Sequence, residues 1–200
     1  MNILLVNPEF QETYWSFRHA LPFEGKRSVF PPLSLLTVSS LLPSSCKRRL
    51  IDLNVESLPV SALKWADMVF VTGMLAQQES LHSVVEQAKK LGKTVVLGGP
   101  YVTSTIKELP HADHIFQGEA ETTIPEFFAD LERGEAKRVY KAPERPSMAL
   151  SPVPDFSLID SKRYSCMSVQ YSRGCPFSCE FCDIIEIYGR VPRTKTTEQM

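Results

Sequence analysis

The chain predicts an α/β fold, a five-stranded doubly wound parallel sheet, over its first two thirds. Short apolar runs alternate with amphipathic segments from residue 2 to 135, and polar or glycine-rich residues close most of the apolar runs. Strand, helix, strand repeated at this spacing gives parallel strands joined by crossovers and buried on both faces. The first strand, 3–6, is an apolar run closed by Asn7-Pro8. A helix follows over 31–42, carrying Leu33, Leu35, Leu36, Val38, Leu41 and Leu42 behind Pro31-Pro32, where a helix start tolerates proline. The second strand spans 49–55 and the third 68–72. The helix 78–91 stops at Gly92, and the fourth strand, 94–97, runs into Gly98-Gly99-Pro100. The fifth, 114–117, precedes Gly118-Glu119-Ala120-Glu121 and a helix over 123–133; residues 138–141 can add a short edge strand.

In such sheets ligands bind beyond the carboxyl ends of the strands. There the sequence places Asn7-Pro8, Asp52, Asn54, Thr72-Gly73-Met74, Gly98-Gly99-Pro100 and Gly118-Glu119. Glycine lets backbone approach a ligand closely. Turns of this fold need glycine anyway, but the clustering favours a site.

Composition narrows the function classes. The 200 residues suit one domain and part of another, since domains commonly run about 100–150 residues. A hydrophobic share of 43% supplies a core, and a net charge of −1 gives no electrostatic case for nucleic acid. The N-terminal run lacks a basic flank and ends in Asn-Pro, which reads as a strand and not a signal peptide. No apolar stretch approaches the roughly 20 residues of a membrane span. The expected location is the cytoplasm, or a membrane surface if the substrate is a lipid.

Residues 143–154 hold Pro143, Pro146, Pro152 and Pro154, so the domain boundaries expected are 1–142 for the sheet, 143–165 for a proline-rich linker and 166–200 for a second unit. Within that second unit 167–171 alternates as a strand. It leads into Arg173-Gly174-Cys175-Pro176-Phe177-Ser178-Cys179-Glu180-Phe181-Cys182, three cysteines in eight residues. Such spacing can bring three thiolates to one soft metal centre. A structural zinc site and a disulfide compete with a cluster. Zinc normally takes a fourth protein ligand, and none of His19, His82, His111 and His114 is near in sequence. A disulfide suits a secreted chain with an even number of cysteines, and this chain has five. Cys46 and Cys166 read as ordinary thiols.

The C-x3-C-x2-C spacing, with Phe181 before the last cysteine, resembles the cluster loop of radical S-adenosylmethionine (SAM) enzymes. The preceding doubly wound domain resembles that of their cobalamin-binding subgroup, in the order Asn-Pro, Pro-Pro-Leu-x-Leu, Gly-Gly-Pro, Gly-Glu-Ala-Glu. Asn7 to Phe17, Phe30 to Val38 and Cys182 to Lys195 resemble one branch in particular, which includes the hopanoid C-2 methylases.

The resemblance implies a 4Fe-4S cluster on Cys175, Cys179 and Cys182, with SAM on the fourth iron, in the loop after the first strand of a radical SAM (β/α) barrel. It implies that Thr72, Gly73, Gly98, Gly99, Tyr101, Val102, Gly118, Glu119 and Ala120 line cobalamin. The chain lacks the D-x-H-x-x-G motif of other cobalamin carriers, so no axial histidine is named, and no catalytic side chain is identified. The implied chemistry is a SAM-derived radical that abstracts hydrogen from an unactivated carbon, then methyl transfer from cobalamin. An external donor such as flavodoxin or ferredoxin would supply electrons, and the substrate would be a small molecule or a lipid such as a hopanoid. The alternatives are a radical SAM oxidoreductase or cyclase that does not methylate, and a stand-alone cobalamin-binding module.

Tyr14, Trp15 and Phe17 are candidates to face an apolar ligand, or to pack against the sheet edge. Arg190, Arg193 and Lys195 are candidates for SAM or substrate contact, or a solvated basic turn. A barrel needs roughly 200 residues or more, far more than 166–200 provides. The expectation is therefore a fragment that folds its first domain, holds a cluster weakly and does not turn over.

Overall fold

The computed structural model describes residues 1–105, 109–142 and 144–200; Pro143, read above as the start of the linker, lies outside them. In chain order the elements are β1 (Asn2–Asn7), α1 (Leu33–Leu41), β2 (Lys47–Asp52), α2 (Val60–Trp65), β3 (Met68–Thr72), α3 (Gln78–Lys90), β4 (Thr94–Gly98), α4 (Pro100–Ser104), β5 (His114–Gln117), α5 (Ala120–Arg133), β6 (Val139–Lys141), β7 (Ser172–Arg173), α6 (Ile184–Tyr188) and β8 (Arg193–Thr194).

The main sheet has six strands in the order β2-β1-β3-β4-β5-β6, and every pair is parallel. This corrects the five-stranded expectation. The sixth strand is three residues long and buries only Tyr140, too brief an alternation to set the count. The fold class stands, because side chains alternate across the sheet with period two. Leu4, Val6, Val69, Val71, Val95 and Leu97 pack on α2, α3 and α4. Ile3, Leu5, Met68, Phe70, Val96 and Phe116 face the other way, onto α1 and α5.

Helix spacing matches these two faces. Leu81, Val84, Val85 and Ala88 form one stripe of α3, and Ile124, Phe127, Phe128 and Leu131 form one stripe of α5. Each helix stops where a glycine takes a positive φ, Gly92 at +66° and Gly134 at +73°.

The proline-rich segment after the sheet domain is docked along it. Ser40 donates to the Val153 carbonyl at 2.7 Å, the Asp155 amide to the Leu36 carbonyl at 3.0 Å, and the Cys166 amide to the Val29 carbonyl at 2.9 Å. Met148 and Tyr164 are buried.

Beyond it the strand expected over 167–171 is absent. The pairing begins at β7, which runs antiparallel to β8, so no parallel barrel strand forms over the described residues 166–200. Met167, Val169 and Tyr171 are all exposed, and an alternation of residues that bury nothing does not define a strand face. No helix among the described residues is long and apolar enough to cross a membrane.

Candidate functional site

Neighbouring strands β3, β4 and β5 end side by side in Thr72-Gly73, Gly98-Gly99 and Gly118-Glu119, with Thr72 opposite Gly98 in the register. The structure thus brings together Thr72, Gly73, Gly98, Gly99 and Gly118. The Tyr101 amide donates to the Gly73 carbonyl at 3.1 Å, and the Gly118 amide to Thr103 Oγ1 at 3.1 Å, locking the three turns to one another. Ala120 is half-buried at the start of α5. Tyr101 and Val102 lie in the hydrophobic core, so any contact they make with a ligand is through backbone. Of the nearby histidines, His82 is within hydrogen-bonding distance of the Tyr101 hydroxyl at 3.2 Å and His114 of the Lys137 carbonyl at 2.7 Å.

The polar residues at the ends of β1 and β2 serve another purpose. Asn7 and Asn54 both donate to Asp52 Oδ1, at 2.9 and 2.7 Å, and Tyr164 donates to Asp52 Oδ2 at 3.1 Å. Gln77 donates to the Pro8 carbonyl at 2.5 Å. Buried polar groups need such partners, and here they seal two strand ends and fasten the segment carrying Tyr164. Burial, together with the Asp52 carboxylate, pushes the Tyr164 phenol far above its ordinary range.

An open cleft of about 1030 Å³ lies beyond β1 and β2, lined by Phe10, Trp15, Phe30, Arg18, Lys26 and Arg27 among others. Tyr14 and Trp15 are largely exposed and meet edge to face at 5.2 Å, so they do not pack on the sheet edge.

The cysteine loop is closed at its base by the β7–β8 pair. Gly174 has φ +95°, and a β-carbon there would stand 2.5 Å from the Val191 carbonyl oxygen, so the loop entry requires glycine. The Cys175 amide donates to the Gly189 carbonyl at 3.0 Å, the Cys182 amide to the Cys179 carbonyl at 3.2 Å, and Arg190 to the Ser178 hydroxyl at 2.7 Å. Cys175, Cys179 and Cys182 are free thiols, Cys179 exposed and the others half-buried. Among the described residues no three His, Cys, Asp or Glu side chains are close enough together to share one ion. The donors fit an iron–sulfur cluster in kind, as three soft thiols on one accessible loop.

The loop and the sheet edge meet through a buried charge network. Arg173 donates to Glu119 Oε2 at 2.6 Å and lies 2.7 Å from Glu121 Oε1. Arg193 donates to both oxygens of Glu119, at 3.1 and 2.5 Å, and to the Tyr188 carbonyl at 3.1 Å. The Glu119 and Arg173 side chains are 4% and 11% exposed. Arg193 is therefore no solvated turn residue. Arg173 has no role in the sequence reading; the signal available was an arginine two residues before Cys175, with an acidic pair at a strand end and no local partner for either.

Burial pushes the Glu121 carboxyl up, but the hydrogen bond and charge of Arg173 outweigh it and hold the group below the ordinary glutamate range. A depressed folded value means that this stabilisation is complete above the unfolded value, about 4.3, and lost as pH falls through the folded one. Denaturation midpoints in urea, followed on acidification, should show an acid-side decline that is shallower in E121Q than in the parent.

No protein-family model matches the chain. It is 41% identical over its whole length to an uncharacterized methyltransferase of Synechocystis sp., covering 38% of that protein. It is 34% identical over 99% of its length to the hopanoid C-2 methylase of Rhodopseudomonas palustris, covering 38%. It is 28% identical over 82% of its length to the bacteriochlorophyllide d C-12(1)-methyltransferase of Chlorobaculum tepidum, covering 37%. The chain thus spans under two fifths of the length of these relatives. Each of these relatives is named a methyltransferase or methylase, and the part of them matched here carries the doubly wound sheet and the cysteine loop described above. The chain is thus similar to the hopanoid C-2 methylase, of the branch that its motifs resemble, and to the bacteriochlorophyllide methyltransferases.

Proposed function

We propose that this chain is the cofactor-bearing part of a cobalamin-dependent radical SAM methyltransferase acting on an unactivated carbon, with a polycyclic lipid such as a hopanoid as substrate. The observation that carries this is the buried pairing of Glu119, at the glycine-rich sheet edge, with Arg173 and Arg193, which flank the cysteine loop. It ties the glycine-rich sheet edge to the cysteine loop, which is what neighbouring cofactors would need. Cys175, Cys179 and Cys182 would hold the cluster, and Thr72, Gly73, Gly98, Gly99, Gly118 and Ala120, with backbone of Tyr101 and Val102, would line the corrinoid. When bound, the cluster supplies the electron that cleaves SAM and the corrinoid supplies a transferable methyl group.

The chain's own part is to hold the loop in register with the edge, keep its base dry and leave the thiols free. Methyl transfer is favoured over other radical chemistry by the relatives, each named a methyltransferase or methylase.

Anaerobic reconstitution with iron, sulfide and hydroxocobalamin tests the cofactors. Iron–sulfur absorption should appear in the parent and be abolished in the Cys175→Ala, Cys179→Ala, Cys182→Ala triple variant, while corrinoid co-elutes with both on gel filtration. An unchanged cluster spectrum in the triple variant would sink the ligand assignment, and loss of corrinoid from the parent would sink the cobalamin assignment. Product analysis of lipids from a deletion strain, with loss of a methylated hopanoid as the expected outcome, tests the substrate.

A further inference from the structure

We propose that Glu119, seconded by Glu121, is the positioning residue of the cysteine loop: its carboxylate is consumed by Arg173 and Arg193, which fix both ends of the loop against the turn after β5. A cofactor-lining carboxylate would need an oxygen turned to the ligand. Glu119 has neither oxygen free, since Oε1 accepts from Arg193 and Oε2 from both arginines.

The geometry is that of a clasp. Arg173 lies in β7, immediately before Gly174-Cys175, and Arg193 lies in the paired strand β8. One carboxylate therefore holds the two strands where the loop leaves and returns. Of the two arginines the second acid, Glu121, pairs with Arg173, so two acids and two arginines balance in charge. Further contacts orient the arginines: Gln170 Oε1, just before β7, accepts from Arg173 Nε at 2.9 Å, and the Pro146 carbonyl, in the proline-rich segment, accepts from Arg193 Nη1 at 2.5 Å.

A buried ion pair left with one member is penalised far more than an intact one is rewarded, and removing Glu119 leaves Arg193 without its acid and Arg173 with Glu121 alone. The loop base is where this is felt. The sheet has its own core on both faces and does not use these groups.

Two measurements test the clasp, and the first needs no cofactor. Hydrogen exchange of the apo chain should show E119A losing protection at the Cys175 and Lys195 amides, which bond the Gly189 and Tyr171 carbonyls, while amides of β1, β3 and β4 keep theirs. R193Q, which lies outside the main sheet, should give the same local loss, so a general unfolding of E119A would leave R193Q to decide. Unchanged exchange at Cys175 and Lys195 in R193Q overturns the proposal.

The second measurement rests on the cluster reading. After anaerobic reconstitution, E119A and R193Q should retain severalfold less iron than the parent and, once reduced with dithionite, show a broadened cluster electron paramagnetic resonance signal, with Arg193→Lys intermediate. Iron retention and spectra equal to the parent, alongside lost exchange protection, would overturn the clasp's role in placing the cluster. Absence of a cluster in the parent would count against the proposed function instead.

Discussion

Gly99→Ala is expected to destabilise the sheet domain by several kcal/mol and to disorganise its carboxyl edge. Gly99 sits at φ +97° and ψ −177°, a region open essentially to glycine alone, and strain there costs about 1–3 kcal/mol. The steric conflict adds to this. A β-carbon on Gly99 would fall 2.1 Å from Thr72 Oγ1, 3.2 Å from the Gly73 nitrogen and 3.3 Å from the Gly73 oxygen. Overpacking of this kind typically costs about a further 1–3 kcal/mol. Urea denaturation of G99A should show a lowered midpoint, and G99A in a Thr72→Ala background should recover only the steric part. Full recovery in the double variant would show that the backbone carries no strain, and an unchanged midpoint in G99A would refute the packing account. The glycine after β4 is thus required by the protein's own chain, whatever ligand the edge also receives.

Phe127→Ala should cost about 3–5 kcal/mol, the usual range for emptying a large aromatic side chain from a core. Phe127 is fully buried on α5, where it contacts Phe116 at 5.3 Å, Phe128 at 5.2 Å and Tyr140 at 5.4 Å between ring centroids. These rings hold α5 and β6 against the outer half of the sheet. The cavity cannot collapse readily, because the neighbours belong to three different elements fixed by backbone pairing. F127A should also raise hydrogen exchange in β5 and β6 before β1 and β3. A loss below about 1 kcal/mol would mean that the cluster repacks, outside the range expected of such truncations.

Much of this fold was legible in the chain itself. The strands at Met68–Thr72 and His114–Gln117 begin and end at the residues expected, because an apolar run bounded by turn-forming residues leaves the backbone little choice. The long helices followed from their apolar stripes. Short elements did not: α2 and α4 are six and five residues long, too short for a helical period to show. The three cysteines stood out by their spacing, which left a cluster, a zinc site and a disulfide as competing readings.

Local spacing sufficed for the fold class, the glycine-rich strand ends, the clustering of three thiols and the family resemblance. Tertiary structure alone decided that Glu119 meets Arg173 and Arg193, partners 54 and 74 residues away. It alone decided that Asp52 is held by Tyr164, 112 residues on, and not left open to a ligand. A charge seeking a partner at such separation leaves no periodic signal. Only the folded chain, where desolvation makes an unpaired carboxylate costly, selects which arginine answers it.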